Sequence, residues 1–505
     1  MNTWCITPHT QNRIPIEAIP VLSYAQFYAD VQELLGNESF HPAHYFGVPD
    51  GREVRFYCLL LDDRTAQVWV ASWRSDDDQP GEYPSLTALF PAMHPFEREI
   101  TELFGLSFTG NPFDKPLRFA RERWNPLQTI NDYPFYRIDS PSLHEVNVGP
   151  IHAGIIEPGA FRFICNGEQI LHLEIVLGYQ HRDLERAMVQ TTNRLRQVVL
   201  AESIAGDSTI SHTWAYARLI EGLAEMPVHS QLERERSIAQ ELERIAIHLG
   251  DTGALCMDVG FQLGQVACEA LRTLAINTTQ RLCGNRFGRT LIRPGGTRYP
   301  LTETLRAAII DNVKEIRRRY TEVCEDLLST PSVLGRFEEC GKVSRQQMAR
   351  IGAVGPAARA SGLPRDIRQS HPYGAYTEAE FAFTPVLLET GDVLARTQMR
   401  YHETLQSIHL ILHLLRDVPE ASLPLPDTTT ELMPNSLCFS LIEGWRGEIC
   451  HIGLTDARGE LSYYKVKDPS LHNWYALSLA VRGAGISDFP VNNKSFNLSY
   501  CGHDL

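Results

Sequence analysis

Apolar residues recur at helical spacing over five long stretches of this chain. Within residues 231–249, Leu232, Ile238, Leu242, Ile245 and Leu249 fall on one face of a 3.6-residue helix. The same periodicity predicts helices over 211–225, 263–282, 301–328 and 391–415. Strand signals lie outside this helical block. Residues 54–61 and 66–73 are rich in aromatic and branched side chains and flank Asp62-Asp63-Arg64-Thr65, which predicts a β-hairpin. The acidic run Asp76-Asp77-Asp78 with Pro80-Gly81 closes that region. Residues 161–164 and 170–176 flank Asn166-Gly167, a strong hairpin turn. Strands return over 437–466, with Asp456-Ala457-Arg458-Gly459 as a turn. Near the start, 24–35 predicts a helix, and 84–90 and 95–104 predict two shorter ones.

These elements sort into an α+β N-terminal domain (residues 1–125) and a mainly α-helical domain with peripheral β-hairpins (146–505). Between them 126–145, with Pro126, Pro134 and Pro141, reads as a linker or wrapping arm. A chain of 505 residues exceeds one hydrophobic core, so more than one domain is expected. The net charge of −14 argues against a general nucleic-acid binder or a polybasic grip on anionic lipid. No apolar run reaches the roughly 18 residues of a membrane span. The first residues lack the charged and apolar regions of a signal peptide, so a cytoplasmic location is expected. The eleven cysteines are scattered with no C-x-x-C pair, which gives neither a disulfide framework nor zinc or iron–sulfur spacing. The triplet Arg317-Arg318-Arg319 reads as a solvated helix face, and Glu97-Arg98-Glu99 as surface charge at a helix start.

Common catalytic motifs are missing: there is no P-loop, no H-E-x-x-H and no G-x-S-x-G. What stands out is Ser203-Ile204-Ala205-Gly206-Asp207-Ser208-Thr209-Ile210-Ser211-His212, a small polar loop leading into a long helix. Asp207 or Ser208 is placed to cap that helix. Asp207 and His212 also offer a polar pair in any cavity there. A second small-residue stretch, Leu498-Ser499-Tyr500-Cys501-Gly502, lies near the other end.

The string His94-Pro95-Phe96-Glu97-Arg98-Glu99, running on through Leu103-Phe104-Gly105-Leu106 to Gly110-Asn111-Pro112, resembles the small peripheral subunit of respiratory complex I. Asn111 stands where that family usually has His, and the segment is an assembly surface there. From Gly149-Pro150-Ile151-His152 onward the chain resembles another family, the large subunit of energy-converting membrane nickel–iron hydrogenases of the formate hydrogenlyase type. It is similarly related to the quinone-site subunit of complex I. The blocks carrying this include Glu157-Pro158-Gly159, His181-Arg182-Asp183-Leu184-Glu185, Glu241-Leu242-Glu243-Arg244-Ile245 and Arg293-Pro294-Gly295-Gly296. Others are Gly355-Pro356-Ala357-Ala358-Arg359, Gly391-Asp392-Val393, Glu443-Gly444-Trp445-Arg446 and Asp468-Pro469-Ser470-Leu471-His472.

The resemblance implies a fold, a set of partners and a departure. In such hydrogenases two cysteine pairs hold nickel and iron, because soft thiolate suits and bridges both metals. Here the four matching positions carry Ala205, Ser208, Ser499 and Gly502, and Cys501 is one place out of register. The chain also ends at Leu505 without the tail that is processed in nickel-loaded relatives. No nickel–iron centre is expected. In complex I a His and a Tyr hold the quinone headgroup. His152 matches the first, and Ile204 or a neighbour stands where the Tyr belongs. Glu157 and Arg446 match cavity-lining positions and read as proton carriers, ligand anchors or buried ion-pair partners. Glu443, Arg359 and Asp392 read as framework. The implied function is that of a peripheral-arm subunit on the cytoplasmic face of the cytoplasmic membrane. It would bind no cofactor firmly itself. It would sit beside a small subunit with a 4Fe-4S cluster, above antiporter-like membrane subunits. Quinone is the candidate acceptor, with redox coupled to ion movement. The alternatives are a structural coupling subunit without redox substrate and, last, a hydrogenase with unusual ligands.

Overall fold

The computed structural model describes residues 4–75, 81–378, 383–416 and 423–505. Strands Phe40–Asp50, Glu53–Asp62 and Gln67–Arg74 form an antiparallel meander, extended by Cys5–Pro8 and by a short parallel strand, Val21–Leu22. Alternation along Glu53–Asp62 divides its side chains. Phe56, Cys58 and Leu60 meet the helices Tyr24–Leu35 and His94–Phe104 through Phe27, Val31, Phe96 and Ile100. Tyr57, Leu59 and Leu61 face the other way, into the core shared with Trp214, Leu242 and Ile442. Both faces are covered, which is why this strand reads as an almost continuous apolar run. The acidic run at 76–78 lies outside the described residues.

Burial also overturns two expectations about this region. Glu97, Arg98 and Glu99 are buried rather than surface charge. The Glu97 carboxylate accepts from the Leu86 amide (2.6 Å), the Thr87 amide (3.3 Å) and the Ser85 and Thr87 hydroxyls. Those amides are thereby withdrawn from a helix. Residues 84–90 accordingly form no helix: a strand, Glu82–Pro84, gives way to turns and a 3₁₀ turn at Pro91–Met93.

The helical part is built on Ser230–Asp258, which packs against Gln262–Cys283 and Val393–Leu414, with Glu303–Ser329 behind Gln262–Cys283. The stripe Leu232, Ile238, Leu242, Ile245 and Leu249 is buried throughout. The helix runs to Asp258, well past residue 249; the apolar pattern stops short because Asp251, buried, pairs with Arg400 at 2.9 Å. Arg318 is exposed and bonded to Glu315 and Glu322 on its own helix, as expected of a solvated face.

Two further sheets frame the site. Ala160–Asn166 and Gln169–Val176 pair through the predicted Asn166-Gly167 turn, and His144–Val148 adds an edge. Ser436–Gly444, Gly447–Thr455 and Leu461–Lys467 form a meander whose free edge is taken by Arg13–Pro15 from the far end of the chain. The arm around 126–145 docks on the first of these sheets, where Tyr133 and the Tyr136 amide bond Glu174 at 3.3 and 2.8 Å. The whole is a mixed α/β fold of long helices and small, mainly antiparallel sheets.

Candidate functional site

The loop Ser203 to Ser208 turns into helix Thr209–Leu223 beneath the Gly444–Gly447 corner of the C-terminal meander. That corner presents Trp445 and Arg446. Trp445 Nε1 donates to the Asp207 carbonyl at 2.9 Å, and the Arg446 guanidinium lies 3.9 Å from the Trp445 ring. Arg446 then forks onto Asp207, with 2.6 Å to Oδ1 and 2.7 Å to Oδ2, and donates through Nε to the Asn497 carbonyl. Such planar two-point contact is what guanidinium does best. A further contact, 3.4 Å, reaches the Ser208 hydroxyl.

Helix capping here differs from the sequence expectation. Ser208 is the N-cap residue by backbone, yet its side chain makes no capping bond. Glu243, on helix Ser230–Asp258, supplies the cap from across the interface. Its carboxylate accepts from the Ile210 amide (2.6 Å), the Ser211 amide (3.3 Å) and the Ser211 hydroxyl (2.6 Å). Burial pushes this carboxyl up to about 8, with the Asp207 charge adding to the rise and the three donors opposing it.

One turn further on, His212 is fully buried and does not meet Asp207. Its Nε2 lies 3.1 Å from Asp468 Oδ2 and its Nδ1 lies 3.0 Å from His451 Nε2. His451 Nδ1 in turn lies 2.8 Å from the Tyr464 hydroxyl. Burial opposes ionisation of Asp468, but His212, Arg446 and Ser470 together hold its carboxyl below the usual range. The expected Asp207–His212 pair is therefore replaced by two separate pairs, because Asp207, in the loop before the helix, and His212, inside it, face different elements.

The C-terminal stretch closes the same space. Ser499 caps helix Tyr500–Asp504 by accepting the Gly502 amide at 2.9 Å. A Cβ at Gly502 would lie 2.6 Å from Asp468 Oδ2 and 2.9 Å from Ser499 Oγ. Asp468 thus fills the volume a cysteine at 502 would need. Ala205 offers a methyl group, Ser208 and Ser499 hydroxyls, and Gly502 nothing. Burial, with Glu157 beside it, pushes the Cys501 thiol up to about 12, so it stays protonated at neutral pH. This donor set does not fit a nickel–iron centre, which needs four thiolates. Among the described residues no group of three or more His, Cys, Asp or Glu is arranged to hold a metal ion. The space beside Arg446 and Trp445 amounts to about 10 Å³.

His152 sits on a loop over this region. Its Nε2 bonds the Gly159 carbonyl at 2.8 Å, and its ring lies 5.7 Å from Phe161, so the imidazole folds onto its own hairpin. Glu157, on the same loop, lies by Cys501 and Tyr500. Arg446, Asp207, Glu157 and Cys501 thus converge, while His152 stays with its hairpin and His212 belongs to a separate buried chain. Glu443 is bonded by Arg359 (2.7 Å) and the Ile367 amide, and Arg359 also holds Asp366 and Glu403. Asp392 caps Val393–Leu414. These three tie elements together. Sequence reasoning gave no role to Glu243, His451 or Tyr464. The one available signal was a histidine inside an apolar strand, Ile449-Cys450-His451-Ile452.

The chain resembles known proteins in both its N-terminal and its helical part. Residues 258–437 match the model of the respiratory-chain NADH dehydrogenase 49 kDa subunit, and residues 26–136 that of its 30 kDa subunit. Formate hydrogenlyase subunit 5 of Escherichia coli is 28% identical over 473 residues, covering 89% of this chain and 82% of the relative. The carbon monoxide-induced hydrogenase of Rhodospirillum rubrum is 30% identical over 351 residues, covering 69% of this chain and 96% of the relative. A chain of the membrane-bound sulfane sulfur reductase, an archaeal respiratory membrane complex, superposes with a TM-score of 0.67 at 21% identity. That superposition covers 73% of this chain and 100% of the other, and speaks to the fold alone. The chain belongs to the family that unites hydrogenase large subunits of this type with the 49 kDa subunit of complex I, here joined to a region like the 30 kDa subunit.

Proposed function

We propose that this chain is the peripheral-arm large subunit of a membrane-bound, complex I-like oxidoreductase complex related to the hydrogenases. Its former metal site serves as a metal-free site beside a partner's 4Fe-4S cluster. The observation that carries this is a polar set among the four former ligand positions: Arg446 forks onto Asp207, between positions 205 and 208, and Asp468 occupies the volume of a side chain at 502. A collapsed apolar remnant would need no such groups, since buried charge is costly unless paired. In this reading quinone accepts the electrons, with His152 as headgroup donor and Glu157, Asp207, His212 and Arg446 handling protons and charge. The chain itself supplies walls, orientation and proton carriers. Among the described residues no helix is long and apolar enough to cross a membrane, so partner subunits would supply the spans. We place the chain on the cytoplasmic side, with antiporter-like subunits below it.

The test uses the purified complex. Reduction of a short-chain, water-soluble quinone should be lost in His152→Ala and Asp207→Ala while subunit composition is unchanged. Metal analysis should find no stoichiometric nickel; one nickel per chain would refute the metal-free site. A second reading, a structural coupling subunit without redox substrate, is favoured by the His152–Gly159 bond, which engages the ring nitrogen a quinone would need. It would stand if both variants turned over normally.

A further inference from the structure

Four buried groups form an unbroken line through the molecule. Asp468 Oδ2, His212 Nε2 and Nδ1, His451 Nε2 and Nδ1, and the Tyr464 hydroxyl are linked at 3.1, 3.0 and 2.8 Å. All four side chains are at most 2% exposed. One end is the polar site: Asp468 abuts Gly502 and feels the charge of Arg446. The other end is a separate cavity. Tyr464 lines a pocket of about 220 Å³ together with Glu99, Glu185, His181, Asp183 and Lys465. Among the described residues His181 Nε2 has no hydrogen-bond partner, and the outer wall includes Glu122, whose side chain is 67% exposed. The cavity also carries Arg118 and Arg186, paired with Glu99 and Glu122, so the line spans from a cavity lined by charges of both signs to the polar site.

The chemistry of the line fixes its direction. An ionised carboxylate only accepts, so His212 Nε2 carries a hydrogen toward Asp468 and its Nδ1 is free to accept. His451 Nε2 then donates to His212, leaving His451 Nδ1 to accept from the Tyr464 hydroxyl. Every donor points the same way. Burial holds His451 neutral, far below the ordinary histidine range.

We propose that Tyr464, His451, His212 and Asp468 are a proton-transfer line between the charged cavity and the polar site, which deepens, and rests on, the reading of that site as one that handles protons. In one passage the His212 Nε2–H bond breaks as Asp468 Oδ2–H forms. His451 Nε2–H breaks as His212 Nδ1–H forms, and Tyr464 O–H breaks as His451 Nδ1–H forms. Tyr464 recovers its proton from water in the cavity. One proton enters, one arrives, and no electron moves. Both rings are left as Nδ1–H tautomers, and a passage in the opposite sense restores them. The line thus loads and unloads the site alternately. The groups facing it are Glu185, Tyr216, Cys438 and Cys450 around Tyr464, and Arg446 beside Asp468.

The test needs no turnover. In the purified complex, an acid pH jump is followed by infrared spectroscopy, and the protonated-carboxyl band of Asp468 is assigned by its loss in Asp468→Asn. The band should rise about tenfold or more slowly in Tyr464→Phe and in His451→Gln, to the same final extent. Tyr464→Phe removes one oxygen and keeps the ring, so the fold is retained. Unchanged rates in both variants, or no Asp468 band at all, would overturn the line. Failure of quinone reduction with slowed protonation would remove the quinone and leave the line standing.

Discussion

Arg446 and Asp207 meet through two parallel bonds of 2.6 and 2.7 Å, joining a β-hairpin corner to the start of a helix 239 residues earlier. The Arg446 side chain is 5% exposed and that of Asp207 36%. Arg446 would lose the pair, the Asn497 carbonyl and the Trp445 stack together.

Arg446→Met is expected to cost about 2 kcal/mol of unfolding free energy. That is below the range for a fully buried pair, because Asp207 keeps contact with water. Arg446→Lys should recover less than half of the loss, since an ammonium cannot fork. Denaturant titration of both variants, and of each combined with Asp207→Asn, checks this. Additive losses across the cycle would mean that the two residues do not couple.

Glu243 gives a pH signature. Burial first of all raises its folded carboxyl to about 8, against an ordinary value of 4.5. The folded state therefore holds a proton that the unfolded state has released. Stability from this group is complete below about pH 4.5 and falls as pH rises to about 8, with a slope approaching 1.4 kcal/mol per unit. Glu243→Gln should lose that slope, so the wild-type-minus-variant difference in stability should fall as pH rises across this window. An unchanged difference between pH 5 and 8 would show that Glu243 is ionised throughout, held so by its two amide donors at the helix start.

Much of the fold could be read from periodicity, because the long helices and the Asn166-Gly167 hairpin are specified by local pattern. The site was less legible. Asp207 and His212 stood out as neighbours in sequence, yet their partners lie 239 and 256 residues away. Nothing local announces that Arg446 will reach one and Asp468 the other. Glu97 failed for a related reason. A glutamate at a helix start looks solvated until the fold brings Ser85, Leu86 and Thr87 around its carboxylate. Burial of charge is a tertiary property, and one-dimensional patterns carry little of it.

The N-terminal unit is pinned to the C-terminal meander by Glu99, which bonds Lys465 at 2.9 Å and also Arg118. Burial opposes ionisation of Glu99, but Lys465 and Arg118 outweigh it and hold the carboxyl near 2, against 4.5. This contribution is present above about pH 4.5 and is lost as pH falls toward 2. Glu99→Gln should cost about 3 kcal/mol at neutral pH and remove that part of the acid sensitivity. Limited proteolysis of the arm at 126–145 reports loosening between the two parts. Equal cleavage of variant and wild type across this pH range would exclude Glu99 as the pin.

Gly502 and Asp468 compete for one volume, and that competition can be measured. A methyl group at 502 would stand 2.6 Å from Asp468 Oδ2, so one of the two must move. Gly502→Ala should cost about 1–3 kcal/mol as an overpacking change. The backbone there is helical, so left-handed strain plays no part. Displacing Asp468 would also stretch its bond to His212, leaving a buried carboxylate short of a donor. Asp468→Ala alone removes His212's acceptor and is destabilising in its own right. The double variant should therefore lose clearly less than the sum of the two, because the alanine at 468 vacates the space that the methyl at 502 requires. Denaturant titration of the four proteins decides it. A strictly additive cycle would mean that the two positions do not share space. The same contact predicts that restoring cysteines at 205, 208, 499 and 502 fails to assemble a metal site unless Asp468 is shortened as well.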